Sequence, residues 1–209
     1  VAMGDPRSHA ILGEAIKRIH DGQMGDVLAL YAYWNQGGLW SVQKTDAMSD
    51  MEWQLRNWLY FAWASGDHIV EQHIHNLDVC HWVMGKYPVK ALSLAGRQSR
   101  VDPLYGHIFD HFATEFEYDN GVKKLSMCRQ QEGTEKASRV SELVVGSKGK
   151  SAANDSTLSA IMGRMAGYTG LEVTWEQALN SEESIIPTKW EFGKLDMPEV
   201  AHPGRTQPK

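Results

Sequence analysis

Glu71-Gln72-His73-Ile74-His75-Asn76-Leu77-Asp78 lies in the middle of a segment bounded by Gly66 and Gly85. Read as one helix over Asp67–Met84, the segment carries His68, Glu71, His75 and Asp78 at steps of three, four and three, which places them on one face. Val70, Ile74, Leu77 and Met84 repeat at nearly the same period and give the helix a core side. Gly85 stops it, with Pro88 beyond. Four ionisable groups along one stripe of a half-buried helix are costly unless they are paired, bind a metal or do chemistry.

The flanking sequence has helix signals first and strand signals later. Asp5 as N-cap and Pro6 in the first turn open a helix over Pro6–Asp21, which Gly22 and Gly25 end. Val27–Asn35 is a strand rich in aromatics. Gln36–Ser65 is irregular and tryptophan-rich, with a short helix near Trp53–Trp58. Strands follow over Val89–Gln98, His107–Tyr118 and Val122–Gln130, with Asp119-Asn120-Gly121 as the hairpin turn between the last two. Arg139–Gly146 is a further strand, closed by Gly146-Ser147-Lys148-Gly149. Ser156–Tyr168 and Val173–Asn180 read as helices, and 181–209 as an extended C-terminal tail. This order predicts an α+β fold: a large, mostly antiparallel open sheet covered on one face by helices. The whole chain, 1–209, reads as a single domain without internal repeats.

Composition removes several classes of function. The net charge is −5 with no basic run, so nucleic acid is not an expected partner. No apolar stretch approaches the roughly 18 residues of a membrane span, and Val1-Ala2-Met3-Gly4-Asp5 is not a signal peptide. Cys80 and Cys128 form neither a disulfide framework nor a CxxC pair and read as buried, apolar-like cysteines. Tryptophan is the outlier: of eight, Trp34, Trp40, Trp53, Trp58, Trp63 and Trp82 lead into and through the polar segment. They can serve as core packing, or as aromatic walls on which the C–H faces of a sugar stack.

The polar candidates extend beyond that segment. His107, Asp110 and His111 cluster near a strand start. Combined with His75 and Glu71, His107 and His111 would give mixed histidine and carboxylate ligation suited to zinc, manganese or iron; nine histidines keep this reading open. Arg97, Arg129 and Gln130 lie near strand ends, where arginine can hold a hydroxyl or carboxylate with a fork of donors.

The stretches Ile19–Asp26, Glu52–Phe61, Ser65–Asp78, Asp110-His111-Phe112, Asn120-Gly121-Val122, Met127–Gln130 and Ile161–Gly170 resemble the C-terminal, substrate-binding half of the Gfo/Idh/MocA oxidoreductases. The resemblance implies a sheet-based substrate and catalytic domain of a sugar or polyol dehydrogenase that interconverts a secondary alcohol and a ketone with NAD(P). It assigns the proton-transfer role to His75, with Glu71 as the acid four residues before it, a position the family usually fills with Asp. Asp78, His68, His73, Trp34, Trp40, Arg97, Arg129, His107 and His111 are the candidate substrate contacts. Homo-oligomerisation through the sheet face is expected.

Two departures qualify the resemblance. No GxGxxG follows a strand, Gly146–Gly149 lacks that pattern, and the family's Glu-Lys-Pro motif is absent. Val1–Gly4 reads as a remnant of the last strand of a Rossmann domain, and the stretch after Gly149 is shorter than in relatives. The expectation is therefore that this chain alone binds no dinucleotide. Two alternatives stand beside the dehydrogenase reading. One is a nucleotide-independent lyase, hydratase or epimerase acting on keto-sugars, with or without a metal; the other is a non-catalytic carbohydrate-binding protein.

Overall fold

A computed structural model describes residues 6–151, 158–181, 183, 185, 187 and 192–206. Its first strand is β1 (Val27–Gln36), the aromatic strand expected from the sequence. The other strands are β2 (Lys90–Gly96), β3 (His111–Glu117), β4 (Lys123–Gln130), β5 (Arg139–Gly146), β6 (Lys150–Ser151) and β7 (Val173–Thr174). They form one sheet in the order β6-β5-β1-β4-β3-β2-β7. Every pair is antiparallel except β1 with β4, which run parallel with Trp34 opposite Cys128 and Gln36 opposite Gln130. The β3–β4 hairpin turns through Asp119-Asn120-Gly121 as the sequence predicts. Gly121 adopts φ 80°, and Tyr118 and Val122 close the turn.

The helices are α1 (Pro6–His20), α2 (Asp50–Arg56), α3 (Ala62–Ser65), α4 (His68–Glu71), α5 (Ile74–Met84), α6 (Leu158–Thr169) and α7 (Trp175–Leu179). α5 lies on β1 and β5, α4 on β4, and α6 on β2, β3 and β7, so one face of the sheet is covered. Strand alternation then decides which residues enter the core. Leu30 and Ala32 of β1, Phe112, Thr114 and Phe116 of β3, and Lys124, Ser126, Cys128 and Gln130 of β4 are buried beneath the helices. The inward row of β4 is largely polar. Lys124 is fully buried, its ammonium 4.2 Å from the Phe116 ring centre and 3.2 Å from Nε2 of His81, and burial lowers its pKa to about 8. Cys80 and Cys128 are buried free thiols.

A second core lies under the tryptophan-rich segment, built from Trp53, Leu59, Tyr60, Phe61, Ala62 and Ile108. Trp53 donates its indole N–H to the Val42 carbonyl at 2.6 Å, and Trp63 donates to Gln54 Oε1 at 2.8 Å. For these two the packing reading holds. The C-terminal segment crosses this region: Leu195 N donates to Asp50 and Gly204 N to the Thr169 carbonyl.

Several expected elements are revised. Val173–Asn180 opens as a strand before α7, and residues 107–110 precede β3 as loop. The helix expected over Asp67–Met84 is broken in two. Val1–Gly4 lies outside the described residues.

Candidate functional site

The first of the two helices starts from Asp67. Gly66 (φ 76°) caps α3, and Asp67 follows with φ 77°, the one non-glycine residue at positive φ among the described residues. Its fully buried carboxyl accepts four hydrogen bonds: from His68 N (2.6 Å), the His68 ring Nδ1 (3.0 Å), Phe109 N (2.8 Å) and the Tyr168 hydroxyl (2.6 Å). Asp67 thereby fixes the start of α4 against the β3 approach and the end of α6. α4 lasts one turn. The N–H of His73 then reaches back five residues to the His68 carbonyl at 3.0 Å, a π-type turn, before α5 restarts at Ile74.

This extra residue re-sorts the side chains. His68 is buried beside Phe112 and bound to Asp67, so it serves structure. His73 points into the core, with Nε2 2.7 Å from the Ser126 hydroxyl, and burial holds its pKa well below the usual value. His75 sits at the first turn of α5 with its ring centre 5.6 Å from that of Trp34. Burial lowers its pKa as well, so the neutral imidazole is favoured.

Glu71 ends α4. Burial pushes its carboxyl up to about 8, against a weaker opposing hydrogen bond from Gln72. Gln72 Nε2 donates to Glu71 Oε2 at 2.8 Å, while Oε1 is buried with no hydrogen-bond partner among the described residues. The protonated acid therefore carries its hydrogen on Oε1. α4, which Glu71 ends, packs on β4, and His75 rests on Trp34, which stands opposite Cys128 in the sheet. Both groups thus lie over the C-terminal ends of the β1–β4 pair. Two buried amide nitrogens on the same side, Gln36 Nε2 and Gln130 Nε2, also lack partners among the described residues. The end of the pair therefore holds buried, unpartnered amide donors on the strand face that carries the Trp34 indole.

The remaining expected residues disperse. Asp78 is half-buried on α5, one turn beyond His75. Trp40 is 48% exposed and stacks obliquely on Trp58. Arg97 staples its own loop through the carbonyls of Gly106 and Asp102. Arg129 projects from the opposite sheet face toward Ala137. His111 also lies on that outer face, its ring N–H on Asp110 at 2.6 Å. Burial favours protonation of Asp110, but His111 and the N–H groups of Gln98, Ser99 and Arg100 outweigh it and hold the carboxyl far below its ordinary range. His107 is buried against Phe61. The metal set His75, Glu71, His107 and His111 is therefore not assembled: β3 carries His111 to the far face, and His107 turns toward α6. Among the described residues no three His, Cys, Asp or Glu side chains gather into a cation site.

The pattern described as "Oxidoreductase family, C-terminal alpha/beta domain", of the Gfo/Idh/MocA group, matches residues 16–186. The chain belongs to the Gfo/Idh/MocA oxidoreductase family. Solved structures with the same fold include aldose-aldose oxidoreductase from Caulobacter crescentus complexed with glycerol, at 18% identity and a TM-score of 0.54 over 71% of this chain and 38% of that one. Another is myo-inositol 2-dehydrogenase from Lactobacillus plantarum, at 19% identity and a TM-score of 0.50 over 68% of this chain and 38% of that one. This Gfo/Idh/MocA chain thus spans under two-fifths of the length of these relatives. No curated protein sequence matches it.

Within the family domain, Glu71, His75 and Trp34 are the expected site residues that the fold brings to one place. Sequence reasoning missed Asp67 and Gln36 and left Gln130 without a defined role. Asp67 was signalled only by its place between Gly66 and a helix start, where an acid caps.

Proposed function

We propose that this chain is the substrate-binding and proton-handling domain of a sugar or polyol oxidoreductase. The observation that carries the reading is the unpartnered Oε1 of Glu71, protonated at neutral pH, over the same strand pair as a neutral His75 backed by Trp34. Their environments push an acid and a base past one another, so each is in its useful form near pH 7. Neutral His75 accepts the proton of a reacting secondary hydroxyl. Glu71 donates a hydrogen bond from Oε1 to a neighbouring substrate oxygen, and Trp34 stacks on the ring's C–H face.

Alcohol oxidation also needs a hydride acceptor, and NAD(P) supplies one when bound. The residues described do not fit its phosphates. The Gly146–Gly149 stretch closes a hairpin, with Gly146 N on the Gly149 carbonyl, and opens no helix.

Tryptophan fluorescence under titration with myo-inositol, glucose and glycerol tests the substrate reading, since Trp34 stands against His75. Saturable quenching by at least one polyol is expected, weakened at least tenfold in His75→Ala with circular dichroism unchanged. No response to any of the three would overturn it. Unchanged affinity in both His75→Ala and Glu71→Gln would favour a carbohydrate-binding protein instead. We further propose that the uncovered sheet face, where Tyr31, Tyr33, Leu92 and Leu94 are displayed, pairs with a second copy of this chain. Leu94 is 78% exposed there.

A further inference from the structure

α6 carries Arg164 and Tyr168 one helical turn apart, and both face a cavity of about 500 Å3. Its other walls include Ala62, His107, Glu183 and the C-terminal segment, whereas Glu71, His75 and Trp34 do not line it. The guanidinium of Arg164 has a side-chain exposure of only 4%, and Glu183 grips it with two prongs, Nη2 to Oε2 at 2.6 Å and Nη1 to Oε1 at 3.5 Å. The third edge, Nε, is buried and has no partner among the described residues. Across the cavity His107 is 6% exposed, and its Nδ1 is likewise buried without a partner. The Tyr168 hydroxyl is already committed to Asp67.

A purely structural ion pair would be closed over by its neighbours. Leaving a guanidinium N–H and an imidazole nitrogen unsatisfied beside an open cavity is costly, and such atoms call for an explanation. The one strong ligand of the buried arginine is a carboxylate, held in the planar fork that carboxylates favour. The volume left beside it falls in the range of metabolite sites. We infer that this cavity binds a carboxylate-bearing small molecule, which replaces Glu183 on Arg164 and takes a further hydrogen bond at His107. Glu183 closes the site in the ligand's absence as an intramolecular stand-in. The inference does not depend on the roles given to Glu71 and His75.

Calorimetric titration of the chain with malonate tests it. Binding is expected in the wild type, tightened about tenfold or more in Glu183→Gln, where the competing carboxylate is gone. It should be lost in Arg164→Gln. If that variant fails to fold, His107→Leu serves, with several-fold weaker binding expected. Equal affinity in wild type and Glu183→Gln, or no heat in either, would overturn the site. Tighter binding of inorganic phosphate than of malonate would overturn the carboxylate class.

Discussion

Replacing Asp67 by glycine should leave this protein more stable than replacing it by alanine. That inverts the usual order, in which glycine within structure is the weaker by about 0.5–1 kcal/mol. The backbone at Asp67 has φ 77° and ψ 160°, a region that costs a residue with a side chain about 1–3 kcal/mol. The native carboxyl offsets this strain by accepting from His68 twice, from Phe109 N and from the Tyr168 hydroxyl. Both replacements delete all four bonds. His68, Phe109 and Tyr168 are buried, and each stranded donor costs about 1–3 kcal/mol. Four stranded donors put the common loss at about 4 kcal/mol or more, a large share of the 5–15 kcal/mol of a typical domain. Glycine alone relieves the backbone. Urea unfolding should place the alanine midpoint below the glycine midpoint by about 0.5–1.5 M at similar slope, for a slope near 2 kcal/mol/M. An alanine variant as stable as the glycine variant would refute the strain. A loss below about 1 kcal/mol in both would refute the four-donor hub.

Two further outcomes follow from the site and the sheet. Glu71 has a folded pKa of about 8 against an ordinary 4.5, so the folded state holds a proton that the unfolded chain releases. Its contribution is fully present below about pH 4.5 and is lost as pH rises to 8. Wild-type stability should fall by a few kcal/mol relative to Glu71→Gln between pH 5 and 8, and denaturation curves that stay parallel across that interval would contradict the buried acid. On the sheet, Leu94→Lys should shift the chain to monomer in sedimentation velocity without changing its melting profile, because Leu94 makes no core contact in the isolated fold. A monomeric wild type at micromolar concentration would defeat the pairing.

Most strands were legible because each carries its own punctuation. Asp119-Asn120-Gly121 can hardly be anything but a tight turn, and it set the β3–β4 register before any tertiary argument. The parallel pairing of β1 with β4 was not legible. It joins segments some ninety residues apart, and nothing in Val27–Asn35 names its partner. The polar inner row Lys124, Ser126, Gln130 also defeats a hydrophobic-alternation reading of β4. Lys124 enters the core because aromatic faces and His81 receive its ammonium, a set of neighbours known only once the strands are placed.

The site was legible as a spacing and illegible as a geometry. Steps of three and four predict a continuous stripe only while the helix keeps its α period. One residue of π-type insertion at His73 sends that histidine to Ser126 and leaves Glu71 and His75 as the ends of two different helices, while the N-cap Asp67 takes His68 for itself. The anchoring of α4 is also long-range: Asp67 locks its start onto Phe109 and Tyr168, contacts that spacing along one helix does not report. Spacing also says which groups can be neighbours but not how dry they are. Glu71 four residues before a histidine reads as an acid on the same helix face. Burial raises its pKa to about 8, so near neutral pH it holds a proton that spacing alone could not foretell.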